Sequence, residues 1–316
     1  MSIVTSPAHQ PQCTNTVLMV RPTDFSFNSE TATDNEFQNK PALGQENAIT
    51  QLALQEFEGM VKLLRSHGIH VIVMDKQDLL RTPDAVFPNN WFSTTASGGI
   101  HLYPMKAENR RLERRYNQLT QLLVNHDKTI SHVTFIGLPE ESKRVLEGTG
   151  VLIFDHKHAT VYAALSERCD PIQLANYAKL NGHTVVAFET ASANGKPIYH
   201  TNVMLSIGER FCVVCDEVIT TEFRGKVLEQ LAKRKQVITI SEQQMSQFCA
   251  NILQVKNATD KDFIVMSETA YNAFTDAQKA QLSQFGELLP VAIPTIESVG
   301  GGSARCMLAE IFLPHC

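Results

Sequence analysis

No run of apolar residues in this chain is long enough to cross a bilayer, although 43% of its 316 residues are hydrophobic. There is no basic excess either. Lys and Arg number 28 against 33 Asp and Glu, a formal net charge of −5, which speaks against a nucleic-acid partner. The first residues, MSIVTSPAHQPQC, lack the basic start and apolar core of a secretory signal. Seven cysteines are an odd number without framework spacing, so reduced thiols and a cytoplasmic protein are expected. Cys212 and Cys215 match a C-x-x-C string, but FCVVCDEV reads as a strand, where residues three apart face opposite ways. His156-Lys157-His158 reads as part of a strand with no further ligand nearby. Neither a metal nor another cofactor is expected.

What the chain does have is a recurring order of elements. Residues 1–15 read as a loose arm, and 16–316 as one domain. Val17–Val20 is a strand, 26–47 a long polar loop, 48–67 an amphipathic helix stopped at Gly68, and 69–74 a strand. A strand–strand–helix–strand order then recurs. The strands fall at 91–95, 100–103 and 131–136; at 151–155, 159–164 and 185–188; at 203–207, 211–215 and 237–240; and at 252–256, 263–267 and 288–292. The helices fall at 107–124, 171–181, 223–234 and 275–284. Roughly 50 residues per unit gives about five units, though their sequences do not match one another. Paired strands between helices argue for repeated small mixed α/β sheets, and a radial array of them brings its loops to a common axis.

Near the end stands Gly300-Gly301-Gly302-Ser303-Ala304-Arg305-Cys306. The glycines permit close backbone approach, and the following run Met307–Leu313 reads as a helix with Ser303 as its N-cap. Cys306 then lies in a first helical turn, where the dipole favours a thiolate. The ordinary alternative is a Gly-rich turn with a buried Cys.

Three further polar clusters interrupt the strands: Asp84-Ala85-Val86-Phe87-Pro88-Asn89-Asn90, which runs into the single Trp91; Leu146-Glu147-Gly148-Thr149-Gly150; and Tyr199-His200-Thr201-Asn202. Singly, each has an ordinary structural reading: a turn cap at Asp84, a turn at Asn89-Asn90, a surface ion pair at Glu147, a hydrogen-bonded His200. Together, a Cys, a His and a carboxylate able to orient that His are the parts of an activated-thiol site.

These segments resemble the guanidino-group-modifying superfamily, the pentein fold of arginine deiminases, dimethylarginine hydrolases and amidinotransferases. The resemblance covers most of the chain from residue 16. It implies a five-bladed α/β propeller of pseudo-fivefold ββαβ repeats. GGGSARCM resembles the nucleophile segment and implies that role for Cys306. LEGTGVL resembles the Glu-Gly-Gly-Asp motif, with Gly150 in place of the Asp, and implies Glu147 as the carboxylate that orients the His. YHTN resembles His-x-Asp and implies His200 as acid/base. Leu165-Ser166-Glu167-Arg168 resembles Leu-Ser-x-Arg and implies that Arg168 holds a substrate α-carboxylate, with Arg110 or Arg111 assisting. DAVFPNN resembles Asp-x-Val-Phe-x-x-Asp and implies that Asp84 and Asn90 meet the substrate head group.

Two departures bear on the substrate. Where guanidinium-hydrolysing relatives carry acids, this chain has Asn90 and Asn202. Two carboxamides cannot offset the charge of a buried guanidinium, but they suit a neutral ureido group. The expectation is a Cys-dependent hydrolase of L-citrulline giving ornithine, CO2 and ammonia. The expected partner is that small-molecule substrate, with no membrane partner; homo-oligomerisation stays open. The alternatives are hydrolysis of arginine or a methylated arginine by the same chemistry, an amidinotransferase, and a non-catalytic binding protein on the same ring.

Overall fold

The computed structural model describes residues 10–75, 80–137 and 144–316. Fifteen strands among them form five three-stranded sheets. The first strands laid down are β1 (Thr16–Val20), β2 (His70–Met74), β3 (Phe92–Thr94), β4 (Gly99–Leu102) and β5 (His132–Phe135). There follow β6 (Ile153–Asp155), β7 (Thr160–Ala164), β8 (Thr184–Phe188), β9 (Leu205–Ile207) and β10 (Phe211–Val214). The last are β11 (Gln236–Thr239), β12 (Leu253–Lys256), β13 (Asp262–Ser267), β14 (Glu287–Val291) and β15 (Ala309–Glu310).

Every sheet has one plan. Its middle strand pairs antiparallel with one neighbour and parallel with the strand that follows a helical crossover; the antiparallel neighbour is the preceding strand in four sheets, as in β3-β4-β5 and β6-β7-β8, and the last strand of the chain, β15, in the sheet of β1. The middle strands β4, β7 and β10 are buried throughout, with His101 and Thr160 among their buried residues, while β5 and β8 are partly exposed. The inner strands β6 and β9, β9 and β12, and β15 and β3 are neighbours. The pentein fold expected from the sequence is the fold observed.

The crossovers form for local reasons. Helix Glu46–Ser66 buries Ile49, Ala53, Phe57, Met60, Val61 and Leu64, a stripe at helical spacing. Helix Pro171–Asn181 begins with Pro at its first position. The Asp170 side chain accepts from the N–H groups of Ile172 and Gln173, and the helix ends on left-handed Gly182.

Four expectations fail here. The run after Cys306 is not a helix: Ala309 and Glu310 pair with Leu18 and Val17, so the chain's end completes the sheet that its start began. Strand pairing overrides the helical preference of that run. The helix lies ahead of the glycines instead, at Pro294–Gly300, and Gly301 (φ +64°) is its left-handed stop. His156–His158 is a tight turn between β6 and β7, not strand. The expected helix at 107–124 is split into Glu108–Arg111 and Tyr116–Asn125. Finally, the loose arm is packed where it is described: Gln12, Cys13 and Thr14 are buried, while residues 1–9 lie outside the described residues. No helix among the described residues is long and apolar enough to cross a membrane.

Candidate active site

The five inner strands β3, β6, β9, β12 and β15 share a lead-in. Each follows a single tight turn: Pro88–Asn90, Gly148–Val151, Thr201–Val203, 247–250 and 304–307. Asn90, Gly150, Asn202, Asn251 and Cys306 therefore stand at corresponding places, two or three residues ahead of an inner strand. This is how residues far apart in sequence meet. Asp84, Asn90, Arg110, Arg168, His200 and Cys306 line one small cavity, ≈ 270 Å³ of empty space.

His200, in the cavity wall, is bonded to Glu147 behind it. His200 Nε2 lies 2.7 Å from Glu147 Oε2, and both side chains are buried. Glu147 is fully satisfied: Oε1 accepts the Lys106 backbone N–H at 3.0 Å, and Oε2 also accepts from Arg168 Nη1 at 3.1 Å. Burial opposes ionisation of Glu147, but the Arg168 guanidinium and the His200 hydrogen bond outweigh it and hold the carboxyl well below the usual carboxylate range. For His200 burial wins over the Glu147 hydrogen bond, and its pKa falls below 6.5. The ring is thus a neutral base pinned by a carboxylate.

Cys306 sits in a turn, its N–H donating to the Ser303 carbonyl at 3.0 Å. The helix dipole expected to favour its thiolate is not there. In its place, two side-chain amides approach Sγ: Asn251 Nδ2 at 3.2 Å and Asn202 Nδ2 at 3.4 Å. Ser303 caps no helix; its hydroxyl donates to Glu297 Oε1 at 2.6 Å and braces the Cys306 turn against helix Pro294–Gly300.

Arg110 is where the head-group side of the cavity is organised. It is buried and holds Glu113 through two 3.0 Å hydrogen bonds, while Nη1 donates to Asn90 Oδ1 at 2.7 Å and Nη2 to the Phe87 carbonyl at 3.0 Å. A guanidinium only donates, so the amide of Asn90 must present its oxygen to Arg110. Its Nδ2 is left buried without a partner. Asp84 Oδ2 accepts from Asn28 Nδ2 (2.7 Å) and Thr31 Oγ1 (3.0 Å), leaving Oδ1 unpartnered. Burial raises the pKa of Asp84, against the pull of Arg110.

Arg168 is placed as expected at the cavity, but its guanidinium is already engaged. It bonds Glu147, and Asp34 through Nε (3.0 Å) and Nη2 (2.5 Å). Arg110 contacts Asn90 rather than lying at a carboxylate site. Arg111 does not reach the cavity: it donates to the Met105 and Lys106 carbonyls at 3.0 and 3.1 Å, which corrects its expected role. The long loop covers the site. Asn28 and Thr31 bond Asp84, Asp34 bonds Arg168 and Lys106, and Asn35 and Gln38 bond carbonyls of the glycine segment. Within it Asn28 and Asp34 bond cavity residues, while Phe25, just ahead of it, is buried in the core.

Sequence reasoning missed Asn251, Tyr199 and Glu113. Tyr199 donates its hydroxyl to the Gly301 carbonyl at 2.8 Å and lies under Arg168, 5.3 Å from its centre. The signal for Asn251 is present in the chain: counting places ahead of each inner strand picks out Cys249-Ala250-Asn251 in the fourth unit.

Over residues 21–313 the sequence matches the family described as N,N dimethylarginine dimethylhydrolase, eukaryotic. The chain belongs to that family, within the pentein superfamily of guanidino-modifying enzymes. No curated protein matches it by sequence. Solved structures share the fold at low identity. One is the substrate-bound N-terminal domain of ArgZ, an arginine dihydrolase from the ornithine-ammonia cycle in cyanobacteria. It has a TM-score of 0.73 and 16% identity, covering 93% of this chain and 97% of that one. AgrE with ornithine and NAD+ gives 0.72 and 17%, over 95% of this chain and 40% of that one. A dimethylarginine dimethylaminohydrolase adduct with S-methyl-L-thiocitrulline gives 0.65 and 15%, over 94% and 99%.

Proposed function

We propose that the protein hydrolyses the ureido group of L-citrulline to ornithine, CO2 and ammonia, with Cys306 as nucleophile. The observation that carries this is the 2.7 Å hydrogen bond from Arg110 to Asn90 Oδ1. It commits Asn90 to offer an N–H to whatever fills the cavity. A guanidinium has donors and no acceptor, so that N–H would face another N–H, with the charge of Arg110 directly behind it. A ureido oxygen accepts it. Asp84 Oδ1 and Asn202 Oδ1, both buried and unpartnered, then accept from the ureido N–H groups.

In the reaction, the Cys306 thiol gives its proton to His200 and Sγ bonds the ureido carbon. One C–N bond breaks, and His200 returns the proton to the leaving nitrogen. Water then adds to the carbamoyl thioester while His200 takes its proton, Cys306 leaves, and the carbamate loses CO2. Glu147 holds the ring and stabilises its charged form. Once Asp34 yields its place, Arg168 pairs with the substrate α-carboxylate. The rival substrates, arginine and methylated arginine, have in their favour the retained Asp84 and the family itself.

The test is release of ornithine and ammonia from L-citrulline, with Cys306→Ala as the blank. Equal amounts of both products, absent from the blank, are expected. Conversion of L-arginine to citrulline without ornithine would replace this reading by a deiminase.

A further inference from the structure

Of the five corresponding places around the axis, the one with no counterpart in the motifs is Asn251. Its side chain is fully buried. Nδ2 donates to the Asn202 backbone carbonyl at 3.0 Å and to Cys306 Sγ at 3.2 Å. A backbone carbonyl only accepts, so this contact fixes which end of the amide faces the pair. Both hydrogens of Nδ2 are then committed, one to oxygen and one to sulphur. The Asn251 backbone carbonyl accepts the Arg305 N–H at 3.3 Å, tying the nucleophile's turn to the same residue. With Asn202 Nδ2 at 3.4 Å, the sulphur faces two N–H donors. A thiol is a weak acceptor and a thiolate a strong one, so this pair of contacts discriminates between the two forms.

We propose that Asn251 is a catalytic residue whose amide, together with that of Asn202, holds the Cys306 sulphur as the attacking thiolate. The proposal rests on Cys306 being the nucleophile and not on which substrate it attacks. The proton leaves the sulphur for His200, and no other reactant is needed. The charged and titratable groups around the sulphur are accounted for. Asp84, Arg110, Arg168, Tyr199 and His200 line the same cavity, and Glu147 lies behind His200. Arg110 is held by Glu113, Arg168 by Glu147 and Asp34, and Arg305 turns away to the Leu308 carbonyl and Glu310. Among the described residues, the side-chain hydrogen bonds that reach the sulphur are those of the two amides.

The experiment is the pH dependence of Cys306 alkylation by iodoacetamide, which needs no substrate and so stands apart from the citrulline question. Cys316→Ser provides the background, because Cys316 is exposed. Burial pushes the thiols of Cys169, Cys212, Cys215 and Cys249 up to about 12 and that of Cys13 higher still, so they stay silent. The alkylation midpoint of the otherwise unaltered protein is the reference. Asn251→Ala should raise it by about one to two pH units, the worth of one charged hydrogen bond. Asn251→Asp, which sets a carboxylate beside the sulphur, should raise it further. An unmoved midpoint in either variant, with native circular dichroism, would overturn the proposal. Should both variants fail to fold, Asn251→Leu, which keeps the volume and removes the donor, takes their place: a raised midpoint supports the proposal and an unmoved one refutes it.

Discussion

Glu147 and His200 meet at 2.7 Å where neither touches solvent, and both carboxylate oxygens of Glu147 already accept hydrogen bonds. Glu147→Gln therefore removes a charge that three groups depend on. Turnover should fall by about 10²–10⁴-fold, the scale of general acid–base assistance. Stability should fall by about 3–5 kcal/mol, because Arg168 keeps a buried charge with less to balance it. Steady-state kinetics and urea melts read the two effects.

Acid should weaken the same pair in a set order. Burial puts the folded pKa of His200 below its ordinary 6.5, so the unfolded chain protonates first as pH falls. The contribution of His200 to stability is present above about 6.5 and declines below it. Glu147, depressed below the usual carboxylate range by Arg168 and His200 despite its burial, contributes above that range and is lost only at strongly acid pH. Urea melts between pH 8 and 5 should show stability falling with pH in wild type. The fall should be smaller in His200→Gln.

Gly150 occupies a place with no room. A Cβ there would lie 2.4 Å from Asn90 Nδ2 and 3.0 Å from His200 Cε1. This accounts for glycine at a position where the superfamily motif carries an acid: an acidic side chain would displace both Asn90 and His200. Gly150→Ala should cost about 1–3 kcal/mol of stability, lower kcat and raise KM, since it moves both His200 and the Asn90 amide that meets the substrate. A variant with unchanged kcat would show that the crowding is relieved elsewhere.

Asp34 latches the loop that covers the cavity, through Arg168 and Lys106. Burial notwithstanding, the Arg168 contact lowers its pKa, so the latch holds at neutral pH and loosens as acid titrates it below the ordinary carboxylate value. Asp34→Asn should speed amide hydrogen exchange across residues 28–38 by several-fold at pH 7 while leaving the sheets protected. Unchanged exchange there would mean that the loop's other bonds, Asn28 and Thr31 to Asp84 and Asn35 and Gln38 to the glycine segment, suffice to hold it.

Much of this architecture is legible in the amino-acid sequence. Apolar runs at β4, β7 and β10, amphipathic crossovers and glycine stops give the element order to within a few residues. The helix at 171–181 is placed to the residue, because Asp170-Pro171 and Gly182 mark both its ends locally. The Gly300–Gly302 run reads in the wrong direction. A glycine triplet opens or closes a helix equally well by composition, and what decides it is β15 pairing with residues some 290 positions earlier. The site is legible where one residue type carries the chemistry, as with Cys306, His200 and Glu147, which do share one region. For Arg110 and Arg168 the place at the cavity is legible, but the partners are not. A guanidinium declares its charge in the sequence, but the buried partners that claim it, Glu113 for one and Asp34 for the other, come from the folded chain.

Under the proposed function, substrate choice rests on the amide of Asn90. Asn90→Asp sets a carboxylate against Arg110 and into the cavity, where it can meet a guanidinium. The citrulline-to-arginine ratio of kcat/KM should then drop by about 10–100-fold, one charged hydrogen bond's worth. A variant with the ratio unchanged would remove Asn90 from the account.

The most direct measurement is that ratio in the unaltered enzyme: kcat/KM for L-citrulline against L-arginine and N,N-dimethylarginine, run side by side at neutral pH. A cavity whose head-group donor is fixed by Arg110 predicts citrulline ahead by at least about 100-fold, two lost or opposed hydrogen bonds. Arginine or dimethylarginine turned over as fast as citrulline, or faster, would contradict it.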